Sequence, residues 1–181
     1  NDSVIPKSQK RNYCAASRLA SNSPMTSKSY NEFAVSIIEA LENLGLVYAI
    51  GGSFASNAYG EPRTTVDLDV SLVLPESGLQ DFVRAIERLG YYVLYDDIVE
   101  ALIHNRPFNV IDAISGYKVD VFLVQPTPLE ESVLARLRRV VYDPDTQASA
   151  MLYSPEDVIV YKLKYFLQGQ SQKHLRDIAA M

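Results

Sequence analysis

The sequence predicts an α+β (mixed α/β) fold, a small mixed β-sheet flanked by helices with further helices at the C-terminal end. Three observations carry this. Stretches with apolar residues at helical spacing alternate with short apolar runs bounded by Gly or Pro. Two such runs flank Ser115-Gly116, a hairpin signal, so part of the sheet is antiparallel. The 181 residues are 48% apolar and 22% charged, the balance of a globular chain that can bury a core without covalent staples.

The elements follow in order. Residues 1–28 are rich in Ser, Asn and Lys with no apolar period, and read as a flexible tail ahead of one domain over 29–181. Met25 stands just before the first helical pattern, so translation is expected to start there, with the earlier residues upstream or appended sequence. Tyr30, Phe33, Ile37, Ile38, Leu41 and Leu44 mark a helix stopped by Gly45. Val47–Ile50 is a buried strand ending at Gly51-Gly52, and a short helix spans Ser53–Tyr59. After the turn Gly60-Glu61-Pro62, Val66–Leu74 is a strand stopped by Pro75. Ser77 and Gln80 fit a capping box for a helix with Leu79, Phe82, Val83, Ile86 and Leu89 inward, closed by Gly90. Tyr91–Tyr95 reads as a strand and Ile98–His104 as a short helix. Phe108–Ile114 and Tyr117–Val124 form the hairpin, and Leu129–Leu137 is helical. Ser154-Pro155-Glu156-Asp157 starts a helix, with Ser154 as cap and Pro155 at its first position. Its buried face is expected at Ile159, Leu163, Phe166 and Leu167, and a last helix begins near Ser171. The helical end thus runs from about residue 154.

The single Cys14 excludes an intrachain disulfide and gives no sign of an oxidising compartment. No apolar run approaches the roughly 18 residues of a membrane span, and no apolar segment follows the basic N-terminal residues as in a secretory signal. A cytoplasmic protein without membrane contact is expected. The net charge of -5 argues against a dedicated nucleic-acid binder. Residues 1–24 carry +3, which leaves -8 on the rest. An acidic body of this kind handles a polyanion only with a metal or a local basic patch.

The residues with chemical content are Gly51-Gly52-Ser53, then Asp67-Leu68-Asp69, then Asp120. Residues two apart on a strand share a face, so Asp67 and Asp69 project together while Val66, Leu68 and Val70 project into a core. Two adjacent carboxylates repel, and a divalent ion removes that penalty. Mg²⁺ suits such oxygen donors. The plain alternative is a solvent-facing edge strand. Asp120 lies in Tyr117–Val124, otherwise apolar after Lys118, and needs a partner, a metal or a raised pKa; alternatively it caps a neighbouring backbone group. The glycine turn lets the backbone approach a phosphate, with free N–H groups at the helix start, or is a structural turn only. Arg63 reaches phosphate or acceptor, or pairs with Asp67 or Glu61. Lys162 reaches a phosphate or snorkels at the surface. Tyr153, Tyr161 and Tyr165 stack a base or pack. Arg136, Arg138 and Arg139 form a basic patch near a helix end, solvated or in contact with RNA or phosphate. His104 and His174 lack metal-ligand spacing.

Taken together, Ile50-Gly51-Gly52-Ser53, Arg63 to Asp69 and Lys118-Val119-Asp120 resemble, in order, the pattern of the nucleotidyltransferase superfamily typified by DNA polymerase beta. The likeness is greatest to its minimal bacterial branch, including AbiEii-type toxin relatives. Pro155–Leu163 and Lys173–Ile178 are similar to the helical end of these small proteins. The resemblance implies a nucleotidyltransferase-like fold and the metal-dependent transfer of a nucleoside monophosphate from an NTP to a hydroxyl on RNA, a protein or a small molecule. It implies that Asp67 and Asp69 hold two Mg²⁺ ions. Asp120 would share the catalytic ion and help deprotonate the acceptor. Gly51, Gly52 and Ser53 would hold the triphosphate, with Arg63 and Lys162 as further contacts. Toxin relatives carry another basic and acidic motif in the C-terminal helices, for which Lys162 and Asp177 are partial matches. About 60 residues follow Asp120, fewer than in members that act alone, which implies a second subunit or an antitoxin as partner. The rival expectation is a non-catalytic module of the same fold that binds nucleotide or a partner protein.

Overall fold

The computed structural model describes residues 28–65, 67–143 and 145–181. The expected tail up to residue 27, with Met25 and Cys14, lies outside them. Helix α1 (Tyr30–Asn43) starts at a capping box in which Ser29 and Glu32 satisfy each other's amides. Its Phe33, Ile37 and Leu41 are buried, and Gly45 at φ 65° ends it. Strand β1 (Val47–Ile50), helix α2 (Gly52–Tyr59) and strand β2 (Asp67–Val73) follow. Helices α3 (Leu79–Arg88) and α4 (Tyr95–His104) lead to the hairpin of β3 (Phe108–Ile111) and β4 (Lys118–Leu123). Helix α5 (Pro128–Leu134), strands β5 (Arg138–Asp143) and β6 (Ala148–Leu152), and helices α6 (Pro155–Gly169) and α7 (Gln172–Ala179) complete the described chain.

The six strands lie in the order β3-β4-β2-β1-β6-β5. β2 runs parallel to β4 and β1 parallel to β6, while β1–β2, β3–β4 and β5–β6 are antiparallel. The sheet is mixed and flanked by helices, as the sequence predicts. Its two faces differ in chemistry. Leu68, Val70 and Leu72 of β2 and Val119, Val121 and Leu123 of β4 face α1 and α3, where Ile37, Leu41, Phe82 and Ile86 close the core. Each such side chain stabilises the fold by about 1.5–3 kcal/mol relative to exposure. The alternate residues, Asp67, Asp69, Ser71, Asp120 and Phe122, look the other way, toward α2, α6 and α7. The core anchors one face of β2 and β4 and so aims the acids on the other. Helix α7 is tied back by the Glu61 amide, which donates to the Ala180 carbonyl at 3.0 Å.

Several expectations are corrected. No capping box forms at Ser77; residues Glu76–Gly78 make a 3-10 turn, and α3 follows from Leu79 with Gly78 at its N-cap position and no side-chain cap. Tyr91–Tyr95 is not a strand: Tyr92 makes one isolated antiparallel bridge to Ile111, and Tyr95 already opens α4. The β3–β4 connection is longer than two residues, closed by the Asp112 amide on the Tyr117 carbonyl, with Gly116 at φ 77°. Strands β5 and β6 form where the sequence predicts no strand. Helix α6 buries Asp157, Val158 and Lys162, whereas Leu163 and Leu167 are exposed.

Candidate active site

The glycine bend is built by the sheet. The Gly51 amide donates to the Asp69 carbonyl at 2.9 Å, which pins the end of β1 to β2 at the acid pair. Gly52 follows at φ 57°, and a Cβ there would collide with the Asp69 carboxylate. Only glycine lets α2 start this close to the acid. No side chain caps α2, so its first amides have no capping partner, and Gly52 and Ser53 line the cavity below the bend.

The acids meet through strand register. Asp69 pairs with Asp120 across the parallel β2–β4 ladder, and Asp67 lies two residues before Asp69 on the same face. All three line one cavity of about 290 Å³ with Gly51, Gly52 and Ser53. Burial, followed by the charges of Asp120 and Asp67, pushes Asp69 up to about 6, while Lys173 and Lys162 oppose the shift. The oxygen-only donor set and the poorly compensated charge of Asp69 fit a hard divalent ion. The set is not a finished cage. Lys118 holds both oxygens of Asp120 at 3.0 and 2.9 Å, and Asn109 donates to the same carboxylate. Among the described residues, no three Asp, Glu, His or Cys side chains close around an ion position.

Opposite the acids, the C-terminal helices bring basic groups. Lys162 is 4% exposed, not a surface snorkeller, and its Nζ lies 2.7 Å from Asp177 Oδ2. Arg63 pairs with neither Asp67 nor Glu61. Its Nε and Nη2 grip Asp177 at 2.8 and 3.0 Å, and Nη2 also donates to Ser53 Oγ at 2.5 Å. Burial works against the charge of Asp177, yet the Arg63 and Lys162 hydrogen bonds hold it down at about 2. One carboxylate on α7 therefore locks a guanidinium to Ser53 of the glycine bend and an ammonium to the cavity wall. Lys173 adds a further, exposed cation to that wall.

The tyrosines form an aromatic side of the cavity. Tyr153 and Tyr161 lie 4.9 Å apart between centroids, and the Tyr161 hydroxyl donates to Glu130. Tyr165 stacks on His174 at 6.0 Å. His174 lines the cavity although its spacing suggests no role; burial and Lys162 lower its pKa. The expected basic patch is dispersed into ion pairs. Arg136 grips Asp157, Arg138 faces Glu156 and Arg139 meets Glu42. Residue-by-residue reading missed Ser71 and Lys173. Their signals are two-residue spacing from Asp69 and four-residue spacing from Asp177.

Similar architecture occurs in solved proteins. The crystal structure of ANT(2")-Ia in complex with adenylyl-2"-tobramycin superposes with a TM-score of 0.59 at 16% identity, over 82% of this chain and 85% of that one. The lincosamide antibiotic adenylyltransferase LnuA, with lincomycin bound, gives 0.54 at 11% identity over 85% and 95%. An antigenic nucleotidyltransferase-like protein from Paracoccidioides brasiliensis gives 0.55 at 17% over 87% and 77%. The fold is nucleotidyltransferase-like. No protein-family model and no curated protein matches the chain, so the likeness lies in the architecture. In this nucleotidyltransferase-like frame the glycine bend, the three acids, Lys162 and Asp177 share one cavity, and Arg63 joins it through Ser53 and Asp177. Among the described residues no helix is long and apolar enough to cross a membrane.

Proposed function

We propose that the protein is a divalent-metal-dependent nucleotidyltransferase that moves a nucleoside monophosphate from an NTP to a hydroxyl acceptor. The observation that carries this reading is the register pairing of Asp69 with Asp120, with Asp67 on the same face, beside the positive-φ Gly52. Asp67, Asp69 and Asp120 would hold Mg²⁺, two ions in the full arrangement, which neutralises phosphate charge and makes the acceptor hydroxyl more acidic. The amides at Gly52 and Ser53 bind triphosphate oxygens. Arg63, already anchored on Ser53, and Lys162 add positive charge to the leaving side. The acceptor oxygen forms a bond to the α-phosphorus, the bond from that phosphorus to the bridging oxygen breaks, and pyrophosphate leaves. Asp120 takes the hydroxyl proton.

The acceptor is a small molecule, RNA or protein. Two of the similar structures carry antibiotic compounds, which supports a small acceptor in the aromatic part of the cavity. The contact of Lys162 with Asp177 supports the AbiEii-type, toxin-related branch; an antitoxin or a second subunit as partner, and the cytoplasm, where NTP is abundant, as location, go with that reading. The engagement of Asp120 by Lys118 favours a second reading, a nucleotide-binding module without catalysis. Calorimetric titration of each NTP with Mg²⁺ tests the first. Binding that is lost in Asp67→Ala supports it, and NTP affinity that is equal without metal contradicts the ion scheme. Persistent silence in transfer assays despite metal-dependent binding supports the module.

A further inference from the structure

Lys118 stands within the acidic group itself. It opens β4, lies directly across from Asp67 in the β2–β4 register, and precedes Asp120 by two residues on the same face. Its ammonium bonds both Asp120 oxygens, and the Asn109 amide from the adjoining strand completes the grip. The Lys118 side chain is 45% exposed, so carboxylates rather than packing hold it there. A half-exposed ion pair is individually weak and therefore displaceable.

We propose that Lys118 is a resident counter-ion of the site: its ammonium neutralises Asp120 in the metal-free protein, competes there with divalent cations, and swings away before Asp120 can join Asp67 and Asp69 around an ion. This rests on the reading of the three carboxylates as ion ligands. An ammonium is a single charge on a flexible stem with no fixed geometry, so it can stand in for an ion and yield to one. Once released, Lys118 still stands on β4 beside Asp67 and Asp120, both of which line the cavity, and the phosphates accompanying an ion offer it a new anion. A bare ion is thus opposed by Lys118, whereas an ion arriving with phosphate is not.

The test is Mn²⁺ binding to the full chain without nucleotide, followed by the electron paramagnetic resonance of free Mn²⁺. Wild type, Lys118→Met, Lys118→Arg and Asp69→Asn are compared, with thermal melts to verify folding. Lys118→Met should bind about three- to fivefold more tightly than wild type, the upper end of what a half-exposed ion pair is worth. Lys118→Arg, which keeps the charge, should stay within about twofold, and Asp69→Asn should bind at least about tenfold more weakly. If Lys118→Met binds no more tightly while Asp69→Asn still loses affinity, the counter-ion role is overturned and the transferase reading stands. If neither wild type nor Lys118→Met binds Mn²⁺, both fall.

Discussion

Asp69 is the residue at which function and stability conflict. Its pKa rises from the ordinary 3.8 to about 6 because burial and two neighbouring acids penalise its charge. A group raised above its unfolded value stabilises the fold below that value and ceases to do so as pH rises through the folded one. The metal-free protein therefore loses stability from this group between about pH 4 and pH 6. Asp69→Asn removes the conflict and should stabilise the metal-free protein by about 1–3 kcal/mol at pH 8, with little gain at pH 4. Urea unfolding in a chelator at both pH values measures this; equal stability of the two proteins at pH 8 would contradict it. Asp177 has the opposite sign. Held at about 2 by Arg63 and Lys162, it contributes stability above about pH 4 that is lost as pH falls through 2. The acids were legible in the sequence because strand alternation places Asp67 and Asp69 on one face and Leu68 on the other. The Arg63 partner of Asp177 was not, since the two are 114 residues apart and no spacing rule joins them.

At the scale of elements, the start of α6 decides whether Lys162 reaches the cavity. Ser154 is 1% exposed; its Oγ accepts from the Asp157 amide and donates to the Asp157 carboxylate, which also takes the Arg136 fork. Ser154→Ala should cost about 1–2 kcal/mol of stability, the range of a lost N-cap, by chemical denaturation. A change below about 0.3 kcal/mol would mean that the cap is not used. This cap was readable from Ser-Pro-Glu-Asp. The face that α6 buries was not, because hydropathy selected Leu163 and Leu167, whereas the cavity selects Val158 and Lys162. A buried lysine is invisible to an apolar-stripe rule when its counter-charge lies on another helix. Strands β5 and β6 escaped for a related reason. Arg138 and Arg139 mark an edge strand as polar, and Ala148–Leu152 pairs with β1 at one position only, Ile50 with Leu152. The Tyr91–Tyr95 run has the strand composition but only one bridge, because α4 begins at Tyr95.

For the molecule as a whole, the net charge of -5 makes binding of a polyanionic nucleotide dependent on cations. Mg²⁺ at about 100 times its dissociation constant should add roughly 2.7 kcal/mol, or about 5–10 °C in melting temperature for a chain of this size. Scanning calorimetry should show this gain in wild type and its loss in Asp69→Asn; an equal gain in both would place the ion elsewhere. The mixed sheet was legible from element types, while its strand order β3-β4-β2-β1-β6-β5 was not, since pairing between distant segments leaves no local pattern. The most direct test of the account is the fate of the phosphates. Wild-type protein is incubated with Mg²⁺, cell extract and each NTP labelled at either the α or the γ position. Label from the α position should appear in an acceptor, with unlabelled pyrophosphate released, and neither should occur with Asp69→Asn. Transfer of the γ label, or α transfer that survives Asp69→Asn, would contradict it.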